Sequence, residues 1–500
     1  MRGLPVTGAF LSLLLLAVPL TGQAPQAQPV LAHRPVSSTS PAAQRAFDEG
    51  LTLLYAFNPQ EARRSFERAA AADPGFGLAQ WGIALSWGVN LNTSYDPATQ
   101  RHGHDAAAKA QALEAGASPV ERALIDAAVA RYARTGKNDG DASAAAYVDA
   151  MLRAVERFPD DDDVQVIAAE AEMDATPWDY WKADGKPSNP RVLDIVARLQ
   201  NVLAANPAHI QANHLLIHAL EESPHPEGAL ASADRLAADA FAPAAEHLAH
   251  MPAHTYMRVG NYHAAGLANT RAIDLFDAYL ASDRAHGHEG YRGHDCRFAV
   301  VAYMMSGEED AAGREARRCD GSSPVLAAEV AVRFRRFAGL AQSAATLPFA
   351  HGMAVAAGSR PLDAEADAKT LDKERDGVAD IAAAVVRGAI ARARGDHAAE
   401  IASLERAVKL QDAEGYSEPP TFFFPVRESL GGALLRADRP LDAERVFRAD
   451  LVKNPQNPRS LFGLATALDR SGRADAAAQT LAAFREAWRF AATPLDVGAL

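Results

Sequence analysis

The chain has 500 residues, with 50 Lys+Arg against 63 Asp+Glu, 48% hydrophobic and 23% charged residues. That balance is too apolar and too evenly charged for a disordered polymer, and 34 Gly with 29 Pro fall far below collagen-like levels. A formal net charge of −13 argues against nucleic acid and anionic lipid as general partners, and two Cys exclude a disulfide scaffold or a four-thiolate zinc site.

Residues 1–24 read as an export signal: Arg2, the apolar run Ala9 to Leu20, and the small-residue stretch Thr21-Gly22-Gln23-Ala24. The run is too short to span a bilayer, and no Cys follows it to carry a lipid anchor. Pro25 leaves the cleavage position open. Residues 25–40, rich in Pro, Ala, Gln and Ser, read as a flexible leader. No later segment is apolar enough to cross a membrane, so the mature chain is expected in an exported compartment, periplasmic or secreted. There Cys296 and Cys319 are free either to pair or to stay apart.

From residue 41 the sequence is a succession of Ala-rich helical segments in pairs. Pro41 to Tyr55 and Pro59 to Ala72 meet at Phe57-Asn58, and Ala79 to Leu85 opens the next helix. The same grammar returns at Tyr256 to Phe276 around Gly260-Asn261-Tyr262, at Val385 to Leu410 around Gly395-Asp396-His397, and at Ser429 to Pro455 and Ser460 to Trp488. Gly431 and Gly463 lie 32 residues apart, close to a period of about 34. These units resemble tetratricopeptide repeats (TPR). The resemblance implies an all-α, TPR-like α-solenoid of stacked antiparallel helix pairs whose concave groove takes a protein or peptide. Strand signals are almost absent. The expected organisation is N-terminal TPR-like repeats over 41–205, central His-rich helical repeats over 206–320 and C-terminal TPR repeats over 321–490.

Three stretches depart from the repeat. Asp160-Asp161-Asp162-Asp163 lacks the alternation of a calcium loop and reads as a solvated helix N-terminus. Pro177-Trp178 with Trp181 forms a rigid aromatic corner, with Trp178 either lining a pocket or packing under a loop. The Pro-bracketed run Phe422-Phe423-Phe424 is expected to cap the core.

The chemical signal lies in the middle of the chain. Of 16 His, 11 fall between His209 and His294, where uniform scatter would place about three. His214, His218 and Glu221 share one helix face, and His247, His250 and His254 share another. Met251-Pro252 interrupts the second set and is expected to start the helix there, leaving His247 and His250 before it and His254 in its first turn. His294 is a further candidate, with His286 and His288 looser ones, whereas His209, His225 and His263 read as loop or surface residues. Imidazole and carboxylate donors suit one or two zinc, copper or iron ions. The competing reading is a polar core network in which these imidazoles hydrogen-bond to Asn213, Glu221 or backbone carbonyls.

Beyond generic repeats, the chain from about Val36 to Trp488 resembles a group of exported bacterial TPR proteins of unsettled activity. The strings that carry this are FDEGLTLLYAFN, WGIALSWGVNLN, PWDYW, NHLLIHALEESPHPEGAL, HLAHMPAHTYMRVGNYHAA and EPPTFFFPVRESLGGALL. The resemblance implies a shared site built on His214, His218, His247, His250, His254 and His294 with Glu221, and with Asn90 and Asn213 in its surroundings. The chain departs from that group at Pro59, Ala253 and Asp295, where His, Ser and Asn are usual.

Two functions follow. One is a repeat scaffold for a protein or peptide, with internal histidines. The other is a metal-handling protein or metal-dependent enzyme, with Glu221 as ligand or base. No phosphate-binding glycine loop and no Ser-His-Asp or Cys-His nucleophile motif is present.

Overall fold

The computed structural model describes residues 28–282, 290–321, 324–358, 360–374 and 376–500. The export signal read at 1–24 and the candidates His286 and His288 lie outside the described residues. Among the described residues the structure is helical throughout, with one isolated β-bridge between Trp181 and Pro187. No described helix is long and apolar enough to cross a membrane.

Helices begin where the sequence caps them. Ser40 and Asn58 accept from the backbone amides of Ala43 and Glu61, and Pro occupies the first position of both following helices, Pro41–Tyr55 and Pro59–Ala72. Each helix packs chiefly on its neighbours in chain order, from that first pair to Pro458–Arg470 against Ala474–Ala487. The fold is an all-α, TPR-like solenoid of stacked helix pairs. Small residues sit where helices touch: a Cβ on Gly431 or Gly463 would come within 2.3 or 2.1 Å of the Phe447 ring, which is fully buried between them.

The stretch read as a flexible leader is tied down from Val30 onward. The Val30 amide donates to the Ala240 carbonyl, and the buried Arg34 guanidinium pairs with Asp161 and Asp163 at 2.8–3.0 Å. Part of the aspartate run therefore caps the Asp162–Asp174 helix and part anchors Arg34. Phe422, Phe423 and Phe424 are buried against one another and Phe349. Cys296 and Cys319 are joined in a disulfide that ties the Arg292–Ser306 helix to Glu309–Cys319.

Two long-range approaches bring distant parts of the solenoid to the central repeats. The Pro41–Tyr55 helix packs on Ile210–Leu220, and Tyr416, in the loop before Val426–Arg436, donates from its hydroxyl to Glu221 Oε2 at 3.2 Å.

Candidate metal centre

Every residue of the Ile210–Leu220 helix is buried, so His214 and His218, one turn apart, both enter the core. Glu221 caps the C-terminus of this helix and is also buried. The second histidine set is helical throughout. Glu246–His250 and Pro252–Val259 follow directly on one another, and Met251 between them keeps right-handed helical angles. As expected, a helix starts at Pro252 with His254 in its first turn and with His247 and His250 before it; those two lie on a short helix of their own, Glu246–His250. Proline at a first helical position lacks only an N–H that has no partner there, and the amides of Met251 and His254 still bond to His247 and Met251 carbonyls at 3.1 and 3.2 Å.

The structure regroups the candidates. His214, His218 and His247 offer nitrogens that all lie within 4.8 Å of one another, and so do His250, His254 and His294. The two triads adjoin. Ring centres are 5.7 Å apart for His218–His254 and for His247–His250, within the 4.7–6.1 Å found inside the triads.

The outer nitrogens show which protons these rings carry. His214 Nδ1 lies 2.8 Å from the Tyr55 carbonyl oxygen, His218 Nδ1 2.8 Å from Glu221 Oε1, and His254 Nδ1 2.6 Å from Glu221 Oε2. His250 Nδ1 lies 2.6 Å from Asn269 Oδ1, whose own amide nitrogen donates to Ala265, and 3.2 Å from Asp295 Oδ1. A carbonyl oxygen or an ionised carboxylate only accepts, so Nδ1 of His214, His218 and His250 carries the hydrogen and, in the neutral ring, Nε2 is left as a lone pair, whereas His254 Nδ1 meets Glu221 as an ion pair without hydrogen-bond geometry. These lone pairs face inward. Among the described residues, His214 Nε2, His218 Nε2 and both nitrogens of His247 are buried without a hydrogen-bond partner. His250 Nε2 lies 2.8 Å from His254 Nε2 and 3.2 Å from His294 Nε2. An ion holding imidazoles at about 2.0–2.1 Å in tetrahedral geometry sets its nitrogens roughly 3.3 Å apart. A proton shared between His250 and His254 would satisfy that one contact and leave the first triad unanswered.

Electrostatics favour neutral ligands. Burial, reinforced by imidazole neighbours, pushes His214, His247 and His250 well below the usual histidine range. Burial also lowers His218 and takes His294 down to about 4. His254 moves the other way, because Glu221 outweighs its burial. Burial would raise Glu221, but His254 and His218 hold its carboxyl well below the usual range. Glu221 thus backs one ring of each triad and is not aimed at an ion. This carboxylate–imidazole pairing fixes ring orientation at metal sites.

A cavity of about 530 Å³ reaches both triads and is walled by Trp178, Tyr291 and Tyr416. Trp178 is 41% exposed, meets the His218 ring edge-on at 5.3 Å, and donates from its indole N–H to the Leu91 carbonyl. Asn213 does not reach this cavity; its side-chain amide donates to the Pro207 and His209 carbonyls at the helix start. Asn90 lines a separate recess with Phe57, Arg131 and Glu170, while Asn92 lines the histidine cavity. His209 caps the Ile210–Leu220 helix, and His263 is half-buried, stacked on Phe490. Sequence reasoning did not single out Tyr55, Phe57, Asn269, Tyr291 or Tyr416 for the site. Each comes from a distant segment, and only the fold brings it to an imidazole or to Glu221.

No family model matches the chain, and no curated protein matches it. Among solved structures, similarity is found to a human IFIT1 dimer with PPP-AAAA (14% identity, TM-score 0.34, covering 90% of this chain and 94% of that one). It is also found to yeast Tom70 (13%, 0.27, 90% and 92%) and to the APC/C hetero-tetramer Cut9–Hcn1 (12%, 0.29, 91% and 88%). Scores this low say nothing of this chain's function.

Proposed function

We propose that the chain is an exported TPR-like scaffold whose central repeats hold two transition-metal ions, one in each histidine triad, from the class of zinc, copper and iron. One observation supports this above the others. Three rings, His214, His218 and His250, are oriented from behind by hydrogen-bond acceptors and His254 by an ion pair with Glu221, and their Nε2 atoms converge on two buried points where no donor meets those of His214 and His218. A structural polar network would pair donors with acceptors. The cavity against both triads favours a reacting or exchanging metal over a sealed structural one, since structural sites are closed and catalytic sites keep an open position. Glu221 serves in this reading as the shared positioning carboxylate, because both of its oxygens are taken by imidazoles. The solenoid would present this centre to a protein or peptide in its groove, and the Cys296–Cys319 bridge fits a periplasmic or secreted setting.

Elemental analysis of protein purified without an affinity His tag tests the reading. Close to two metal equivalents are expected in the native protein, lost in His214→Ala/His254→Ala while the helical circular dichroism signal persists. Protein that stays metal-free after incubation with zinc, copper and iron overturns it.

A further inference from the structure

We infer that the two ions are copper, and that the pair takes up dioxygen between the triads as a two-electron acceptor. This rests on the dinuclear reading above and deepens it.

Charge distinguishes the candidate metals. All six proposed ligands are imidazoles, which bring no negative charge. Among the described residues the carboxylates found against the outer nitrogens of the six rings are Glu221, shared by His218 and His254, and Asp295 against His250. Glu222 and Glu418 line the same cavity and Glu246 is buried near Asp295, but the carboxylate charge in direct contact with the six rings, from Glu221 and Asp295, is −2 at most. That offsets two monocations but only half of two dications. At equal separation, two dications also repel each other four times as strongly as two monocations. Hydrolytic dinuclear sites join two dications as a clamp on the attacking and leaving oxygens. Here no described carboxylate bridges the two convergence points from inside. Copper is the ion of the proposed class that is stable as a monocation, and neutral imidazole suits it.

The same arithmetic selects the reaction. When dioxygen enters between two Cu(I) ions, each copper gives up one electron, the O–O double bond becomes single, and two Cu–O bonds form. The product is two Cu(II) ions with a bound peroxide dianion. The electrons balance, no proton moves and no further reactant is required. Net charge at the centre is +2 before and after, because dioxygen is neutral. A buried site with fixed countercharge accepts that change without drawing in another ion, whereas oxidising both coppers with no anion bound would add two uncompensated positive charges. Access is provided: the cavity of about 530 Å³ touches His218 and His247 of one triad and His250, His254 and His294 of the other. A small molecule in it reaches rings of both triads at once.

The test loads the full chain anaerobically with Cu(I) against a chromophoric competing chelator, then admits oxygen. Expected are two Cu(I) per chain, uptake of one dioxygen per two coppers, a new near-ultraviolet absorption band and no electron paramagnetic resonance signal, since the two Cu(II) spins couple through the peroxide. His247→Phe, which keeps a ring in place, is expected to hold one tightly bound copper and lose the coupled, silent state. Two tightly bound Cu(I) that take up no dioxygen, or that yield the resonance of isolated Cu(II), overturn this inference and leave the metal reading standing. A chain that binds neither copper, zinc nor iron overturns both.

Discussion

The C-terminal repeats and the central repeats both bury polar side chains, but the group around Glu428 comes far closer to a closed network than the histidine cluster does. Around Glu428, Arg333 donates through both terminal nitrogens at 2.5 and 3.0 Å, and Asn457 adds a third donor at 2.9 Å. Asn457 and Ser460 then donate to Asp450 at 2.7 and 2.6 Å. Each of these donors finds an acceptor, and Arg459 Nε beside them is buried without a hydrogen-bond partner among the described residues. In the central repeats the outer nitrogens of His214, His218 and His250 are as well partnered, while both nitrogens of His247 are stranded among the described residues and the inner nitrogens of His250 and His254 face each other at 2.8 Å. The same economy of buried hydrogen bonding applies to both regions. A nearly closed network is explained by the chain alone, and one that orients three imidazoles and leaves their inner nitrogens unmatched calls for something the chain does not supply.

The largest effect belongs to the closed side. Arg333→Ala leaves the buried Glu428 with only the more distant Arg459 as a cation, at 3.9 Å, and removing one member of a buried pair costs about 3–5 kcal/mol. Chemical denaturation followed by circular dichroism should show this loss with metal stoichiometry unchanged in the folded fraction. A simultaneous loss of metal would show that the two regions are not separable in this way.

The open side should respond with the opposite sign. His247 stacks near Phe57 and Tyr291 at 5.2 and 4.4 Å, and neither of its nitrogens has a hydrogen-bond partner among the described residues. In metal-free protein, His247→Phe removes two stranded polar atoms, and leaving such an atom unsatisfied costs about 1–3 kcal/mol. The metal-free variant is therefore expected to be more stable than the metal-free parent by about that amount in urea titration, while holding one ion fewer. A destabilised variant would mean that His247 is satisfied in the metal-free chain, and the contrast with Glu428 would fail.

Glu221→Gln addresses the link between the triads. Glutamine has one acceptor oxygen, so only one of His218 and His254 keeps its partner and the other meets an N–H group. Removing an outer partner of this kind weakens metal binding by about 10–100-fold, or roughly 1.4–2.7 kcal/mol. Competition with a chelator of known affinity measures it. An unchanged affinity would reduce Glu221 to packing.

How far the sequence disclosed this depends on the range of the interaction. Helix pairs were legible because turn glycines and small contact residues act over a few positions, as at Gly260 and Gly431. The spacing of His214 and His218 was legible for the same reason. The partition into triads was not, because His247 leaves its own helical neighbours to join His214 and His218, and His294 arrives from a third helix. Glu221 read as a ligand or base by its place on the helix face; only the approach of His254 from another helix shows both of its oxygens engaged. The docking of Arg34 on Asp161 and Asp163, more than 120 residues away, left no local mark in a Pro- and Ser-rich stretch.

The smallest effect tests whether the two regions communicate. Tyr416 belongs to the loop that leads into the C-terminal network, and its hydroxyl donates to Glu221 Oε2 at 3.2 Å, the oxygen that also faces His254. Tyr416→Phe keeps the ring and removes one long hydrogen bond to a charged acceptor that retains its imidazole partners. A net loss near 0.5–1.5 kcal/mol follows, read as a fall in metal affinity of about two- to tenfold in the same chelator competition. If instead the fall equals that of Glu221→Gln, the tyrosine fixes the carboxylate as firmly as the imidazoles do, and the C-terminal repeats are part of what orients the centre. If affinity does not move, the central repeats hold their open cluster unaided, and the boundary between the two regions is as sharp as their hydrogen bonding makes it.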